Sequence, residues 1–114
     1  MTRPNLTLIR GTVDLLILKS LTWEPKHGYD ISEWIEVVTD GTLLMEEGTL
    51  YPALHRLQGK ELISAEWGLS ENRRRAKYYS LTPKGGRHLE DECANWGRYT
   101  KAVGRALATD SPRP

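Results

Sequence analysis

Six consecutive residues, Asn72-Arg73-Arg74-Arg75-Ala76-Lys77, place four cations in a short polar stretch with no acidic residue among them. Guanidinium groups clustered in this way suit contact with phosphate oxygens or insertion into a narrow anionic groove. The alternative for such a stretch is a solubilising surface loop. A second candidate set lies over residues 48–60. On a helical wheel, the face opposite Leu50, Leu54 and Leu57 holds Gly48, Pro52, His55, Arg56 and Gly59, flanked by Thr49 and Tyr51. That face is small and smooth at its N-terminal end and polar further along. Backbone N–H groups at Gly48 and Thr49 suit an anion, although Glu46 and Glu47 just upstream act against one.

Catalytic and metal constellations are missing from the sequence. There is no Gly-x-Ser-x-Gly elbow, no phosphate-binding glycine loop ending in Lys-Ser/Thr, and no His-Glu-x-x-His. His27, His55, His88 and Cys93 are scattered, and His88 and Cys93 are five apart, off a shared helical face. His88 and Glu92 do share one, as a solvated pair. The expectation is a protein without enzymatic activity, metal or cofactor.

The chain has 114 residues and a net charge of +1, so no basic coat covers it. Charge is nevertheless segregated: residues 1–54 carry −4, residues 55–87 carry +5, and the remainder is balanced. A local excess of this size binds a polyanion even when the total is near zero. A mean hydropathy of −0.54 and a longest aliphatic run of Leu15 to Leu18 exclude a spanning helix. Arg10 and Asp14 interrupt any signal-peptide core. The lone Cys93 excludes an internal disulfide, which fits a reducing cytoplasm. A chain this short buries only about two-thirds of its unfolded surface, so a partner subunit would help it.

Periodicity supplies the elements that must position these groups. Residues 8–22 predict a first helix with one stripe of Ile9, Val13, Leu16, Ile17 and Leu21 and a second of Leu8, Leu15 and Leu18. So wide a stripe implies burial on two sides, the second against another subunit. A turn over 23–28 precedes a helix over 28–39, with Ile31, Trp34, Ile35 and Val38 inward and Asp40-Gly41 as its stop. The third helix is predicted over 48–60, with Thr49 as N-cap and Pro52 in the first turn. Alternation over 62–69 and 76–82, joined by polar residues 70–75, predicts a β-hairpin. Thr82-Pro83 then opens a long fourth helix.

That helix carries the clearest repeat. Leu89, Cys93, Trp96, Thr100, Val103 and Leu107 fall at alternating steps of four and three, a seam suited to helix-on-helix association. Leu15 and Leu18 of the first helix join it in the expected dimer interface. The fold class is mainly α with a small β-hairpin wing. A winged helix-turn-helix domain is expected over 8–82, a dimerisation helix over 83–107, and loose tails over 1–7 and 108–114. The third helix would read a DNA groove, since N-terminal residues of a recognition helix approach base edges and phosphates most closely.

The sequence also resembles PadR-type transcriptional regulators. The resemblance rests on Leu15-Leu16-Ile17-Leu18, His27-Gly28-Tyr29-Asp30-Ile31, the run Glu47-Gly48-Thr49-Leu50-Tyr51-Pro52-Ala53-Leu54-His55-Arg56-Leu57, and Arg74-Arg75-Ala76-Lys77-Tyr78-Tyr79-Ser80-Leu81-Thr82. It spans residues 8 to about 107, and the absence of a separate C-terminal domain is similar to the compact subgroup. It implies a DNA-binding homodimer, mostly repressors, formed through the first and last helices. It also implies backbone contacts from Tyr51, Arg74, Arg75 and Lys77, while Gly28 and Tyr29 fix the start of the second helix. Arg73, Gly48, Thr49, Pro52, His55 and Arg56 complete the expected DNA-binding set. In the compact subgroup some members stack aromatic drugs on a tryptophan of the last helix. Trp96 matches that position, with Tyr99 beside it, so a small aromatic effector would bind between subunits there. The other outcome is two indoles that close the seam on each other. The family often has a glycine near residue 61, where this chain has Lys60-Glu61. A docking module without specific DNA binding is the rival reading, and it requires an exposed apolar patch on the third helix.

Overall fold

Capping chemistry sets most element boundaries in the computed structural model, which describes residues 8–9 and 11–113. The tail expected over 1–7 lies outside the described residues. Helix α1 (Thr12–Ser20) starts later than its hydrophobic stripe predicts, because Gly11 takes a left-handed φ of 94° and breaks the helical path. Ile9 is consequently outside the helix and exposed. The next segment, expected as a turn, contains a two-residue strand, β1 (Lys26–His27), too short to show alternation. Helix α2 (Gly28–Val38) follows, with His27 Nδ1 accepting the Asp30 N–H as N-cap. Asp40 and Gly41, both at positive φ, carry the chain away from it.

Helix α3 (Glu47–Gly59) begins one residue earlier than expected, and its N-cap position is held by Glu46, three positions before the expected Thr49. Pro52 therefore lies inside the helix. Its ring removes the hydrogen bond to the Gly48 carbonyl, and Gly48 is exposed, so that carbonyl is not left in the core. At the other end the Leu62 N–H donates to Leu57 O (3.1 Å) and the Glu61 N–H to Gln58 O (3.0 Å). That pair of bonds is a Schellman closure, and Glu61 adopts the left-handed φ of 61° it demands. Where the family resemblance places a glycine, this chain has Glu61.

Strands β2 (Ile63–Leu69) and β3 (Arg75–Leu81) form the predicted hairpin, and β1 adds to the outer side of β3 in an antiparallel order β1-β3-β2. The register runs from Ile63 opposite Leu81 to Leu69 opposite Arg75. Because the side chains alternate, Ile63, Ala65, Tyr79 and Leu81 turn toward the helices, and Trp67, Leu69, Arg75 and Lys77 continue the same face outward. The hairpin outruns the helical body, so the inner end of this face is buried and Trp67 and Leu69 at its outer end are exposed.

Helix α4 (Pro83–Ala108) opens as predicted: the Thr82 hydroxyl accepts the Gly85 N–H at 2.9 Å, with Pro83 in the first turn. The same hydroxyl lies 2.8 Å from Glu61 O and 3.0 Å from Leu62 O, tying α4 to the end of α3.

The core joins all four helices to the sheet. Ile17, Leu18, Ile31, Ile35, Leu50, Leu54 and Leu57 are fully buried. At about 1.5–3 kcal/mol for each such side chain, they hold α1, α2 and α3 together. Two expected dimer residues belong to this core: Leu18 is completely buried and Leu89 nearly so, both against the chain's own side chains. The second stripe of α1 thus faces inward at Leu18, because α1 packs between α3 and α4. From Glu90 onward α4 leaves the body, and every residue to Ala108 except Gly97 is exposed. The radius of gyration is 16.6 Å, against about 13 Å for a compact chain of this length.

Candidate nucleic-acid interface

One open groove of about 1290 Å³ runs between the hairpin and the N-terminus of α2 with the segment before it, and Tyr51 is the residue of α3 that reaches its lining. The α3 side is built by helical spacing. Leu50, Ala53, Leu54 and Leu57 are buried, which leaves Gly48, Thr49, Tyr51, Pro52, His55 and Arg56 exposed. All six expected recognition-helix residues are therefore accessible. They do not share one direction. Tyr51 leans toward α2, where its hydroxyl lies against Gly28 so closely that a Cβ on Gly28 would be 2.7 Å away. Arg56 turns the other way and pairs with Asp14 of α1. Gly48, Pro52 and His55 occupy the outward ridge between them.

The hairpin side is basic. The loop closes through Ser70 N–H to Arg74 O (2.8 Å) and Arg73 N–H to Ser70 O (2.9 Å), and Arg73 takes a left-handed φ of 58°. This tight turn projects Arg73 and Arg74 at the tip, while Arg75 and Lys77 extend along β3. Among the described residues none of these four cations has a carboxylate partner. Their charge is thus available to an outside anion. Tyr78 braces the turn from the opposite face: its hydroxyl donates to Leu69 O at 3.2 Å and its ring lies over Gly68, where a Cβ would stand 3.2 Å from the ring. Tyr79 is buried beneath the groove. Burial, followed by the neighbouring Tyr51, raises its phenol above the usual tyrosine range, so it stays neutral in the groove floor.

Acidic Asp30 and Glu33 of α2 and Glu24 just before it line the opposite wall, and Glu71 is the one acid on the hairpin side of the lining. The groove is therefore bipolar, with its positive edge on the hairpin. Sequence reasoning placed the basic loop and the exposed α3 face, but missed Asp14 as the partner of Arg56, 42 positions away. It also missed the exposure of Trp67, which alternation alone assigns to the inward face.

The expected dimer residues separate into two groups. Leu18 and Leu89 are core, as described above, and Leu15 is half-buried against it. Cys93, Trp96, Thr100, Val103 and Leu107 remain exposed along α4. Trp96 and Tyr99 stack on each other within the chain, with centroids 6.3 Å apart and planes 28° apart. Among the described residues no helix is long and apolar enough to cross a membrane, and no cluster of His, Cys, Asp and Glu is suited to a metal ion.

Comparison with known proteins agrees with this architecture. The fold is similar to a transcriptional regulator from Clostridium thermocellum, with a TM-score of 0.77 and 34% identity over 84% of this chain and 93% of that one. A PadR family transcription regulator from Clostridium difficile gives 0.74 and 32%, covering 86% of this chain and all of the other. By sequence, an uncharacterized protein of Lysinibacillus sphaericus is 31% identical over 96 residues, which is 84% of this chain and 88% of the relative. The transcriptional regulator YqjI of Escherichia coli is 33% identical over 81 residues, 71% of this chain but only 37% of that protein. These likenesses identify the four helices and three-stranded sheet as a winged helix-turn-helix of regulatory and not enzymatic type. Residues 17–91 match the PadR-like family of transcriptional regulators, and the chain belongs to that family.

Proposed function

We propose that this protein is a repressor that binds an inverted-repeat operator as a homodimer, with α3 in the major groove and the hairpin as a wing on the flanking backbone. The observation that carries the reading is an accessible α3 face together with a hairpin whose four cations have no carboxylate partner among the described residues, with Tyr51 of α3 and Arg74, Arg75 and Lys77 of the hairpin lining one groove. His55 and the ridge of Gly48 and Pro52 approach base edges, and Thr49 and Tyr51 flank them. Arg73, Arg74, Arg75 and Lys77 meet phosphates. Arg56 acts through Asp14, fixing α3 against α1. The rival docking module is disfavoured by α3 itself, whose only large exposed apolar side chain is Tyr51.

The exposed seam of α4 supports the dimer, with Trp96, Val103 and Leu107 open on one stripe. A two-fold protein reads a two-fold site, with recognition helices about 34–36 Å apart. Release by a small planar aromatic molecule, stacked between subunits on Trp96 and Tyr99, belongs to the same proposal. Such a ligand acts only through a preference for one spacing of the two wings.

The test is selection of bound fragments from random genomic DNA, followed by salt titration of the recovered site. An inverted repeat is expected, and Arg74→Ala should lower the salt slope by about one unit while weakening all sequences alike. His55→Ala should instead relax preference at particular positions, by about 1–3 kcal/mol. Recovery of no shared motif, with no salt-dependent binding, would defeat the reading in favour of docking to a protein. The effector arm is a fluorescence titration with planar dyes and phenolic acids. A saturable quench lost in Trp96→Ala is expected, and its absence across the panel removes the effector.

A further inference from the structure

The four wing cations are not equivalent. Arg73 and Arg74 sit in the loop, ordered by backbone bonds and the Ser70 hydroxyl, with no ring beneath their guanidinium groups among the described residues. Arg75 belongs to β3, paired opposite Leu69, and its guanidinium carbon lies 4.7 Å from the centroid of the Trp67 ring. Arg75 reaches Trp67 diagonally across the strand pair; further inward, Lys77 Nζ lies 5.9 Å from the centroid of Tyr79, two residues along the same strand. Each cation is thus laid over an aromatic ring of the hairpin face that lines the groove. The indole of Trp67 is 57% exposed, so the chain's own core does not account for a tryptophan here.

We propose that Trp67 is a positioning residue for DNA binding: its indole holds the Arg75 guanidinium flat and pre-oriented, making Arg75 the wing's rigid phosphate contact. The inference rests on the DNA-binding reading above and deepens it. Among aromatic side chains the indole face attracts a cation best, and arginine is the cation most often found over one. Arginine keeps its fork of N–H donors in the guanidinium plane, so covering one face leaves the edge free for bidentate bonds to a phosphate. A free arginine loses rotamer freedom when it binds. One already stacked on a ring has lost much of it beforehand, and the bound state is favoured accordingly. Arg74 supplies charge without this ordering, and Arg75 supplies charge with a fixed direction.

The experiment measures binding of a mixed-sequence DNA duplex across a salt series, because a phosphate contact does not depend on base sequence. Trp67→Ala should weaken binding about threefold to fivefold with an unchanged salt slope, since no cation is lost. Trp67→Phe should recover most of that loss, and Trp67→Leu, apolar but without a π face, should not. Arg75→Lys should retain the slope and lose affinity, and Arg75→Ala should lower the slope by about one unit. In the Arg75→Ala background, Trp67→Ala should have little further effect. Circular dichroism and the melting temperature should stay near wild type for every Trp67 variant, because the ring is solvent-facing. Trp67→Leu binding like wild type, or a Trp67→Ala effect that adds fully to Arg75→Ala, overturns the proposal while the DNA reading stands. If Arg74→Ala and Arg75→Ala both leave affinity and slope unchanged, the wing's role in DNA binding fails and the proposal falls with it.

Discussion

The hydroxyl of Tyr51 rests over Gly28 with no room for a methyl group: a Cβ there would stand 2.7 Å from Oη and 3.1 Å from the ring carbon that bears it. This contact, and not a left-handed backbone, explains the glycine in the His27-Gly28-Tyr29 run. It couples the start of α2 to the first turns of α3 at the floor of the groove. The obstructing atom is the far end of a half-exposed side chain, so Tyr51 can swing aside at little cost in folding.

Gly28→Ala should therefore leave the melting temperature within a few degrees of wild type and lower DNA affinity by moving Tyr51. Gly85→Ala makes the contrast. A Cβ at Gly85 would stand 1.9 Å from the backbone oxygen of Leu62, which has nowhere to go. Overpacking normally costs about 1–3 kcal/mol, and a clash with backbone in the seat of α4 should reach or exceed the top of that range. Urea melts of the two variants check both halves. Equal destabilisation would mean that the Tyr51 contact is as rigid as the Leu62 backbone.

Legibility of the fold followed the range of the interaction involved. Thr82-Pro83 announced α4 because a cap is made within three residues, and the hairpin showed its period of two directly. Pro52 misled the α3 boundary: a proline reads as a first-turn residue, yet an exposed helix face tolerates it one turn deeper. β1 has two residues, too few for any pattern. Leu18 looked like part of an outward stripe because periodicity gives the angle of a side chain but not which neighbour covers it. The candidate site divides in the same way. The basic loop and the α3 face were visible in residue types. The Arg56–Asp14 pair and the Tyr51–Gly28 contact join segments far apart in the chain, and only the packed structure brings them together.

Glu61 carries a second consequence of local conformation. It occupies the left-handed position of a Schellman closure at φ 61°, where its Cβ is crowded and a glycine is not. Glu61→Gly should raise stability by about 0.5–1 kcal/mol, after subtraction of glycine's greater freedom in the unfolded chain. Denaturant midpoints with an unchanged m-value would show it. A loss of stability would mean that the side chain contributes more than its backbone strain costs.

Tyr79 predicts a pH dependence. Its phenol is raised by burial first and by Tyr51 second, so the folded state resists ionisation more than the unfolded chain, whose tyrosines titrate near about 10. The stabilisation of the neutral form is fully present below that pH and is lost as pH rises through the folded value. In that interval stability should fall by up to about 1.4 kcal/mol per pH unit. Lysines titrate in the same range, so the comparison is with Tyr79→Phe, which should show a shallower decline. Parallel curves for the two proteins would remove Tyr79 as the cause.

The outer part of α4 gives the test of association. Val103 is 38% exposed, as is Trp96 one heptad earlier, and the two lie on one stripe of a helix that has left the body. A second copy covering this stripe would bury both. Glutamate is a better helix former than valine at an exposed site, so Val103→Glu should not weaken the isolated chain. In a dimer it places a carboxylate in an apolar seam without a partner, which costs several kcal/mol and should raise the dissociation constant at least a hundredfold. Sedimentation at micromolar concentration should then show wild type at twice 13.0 kDa and the variant near 13.0 kDa, with far-ultraviolet dichroism unchanged. DNA binding should fall with it, because two half-sites would no longer be engaged by one particle. A wild-type protein that sediments as a folded monomer, or a variant that stays dimeric, would place the interface elsewhere or remove it.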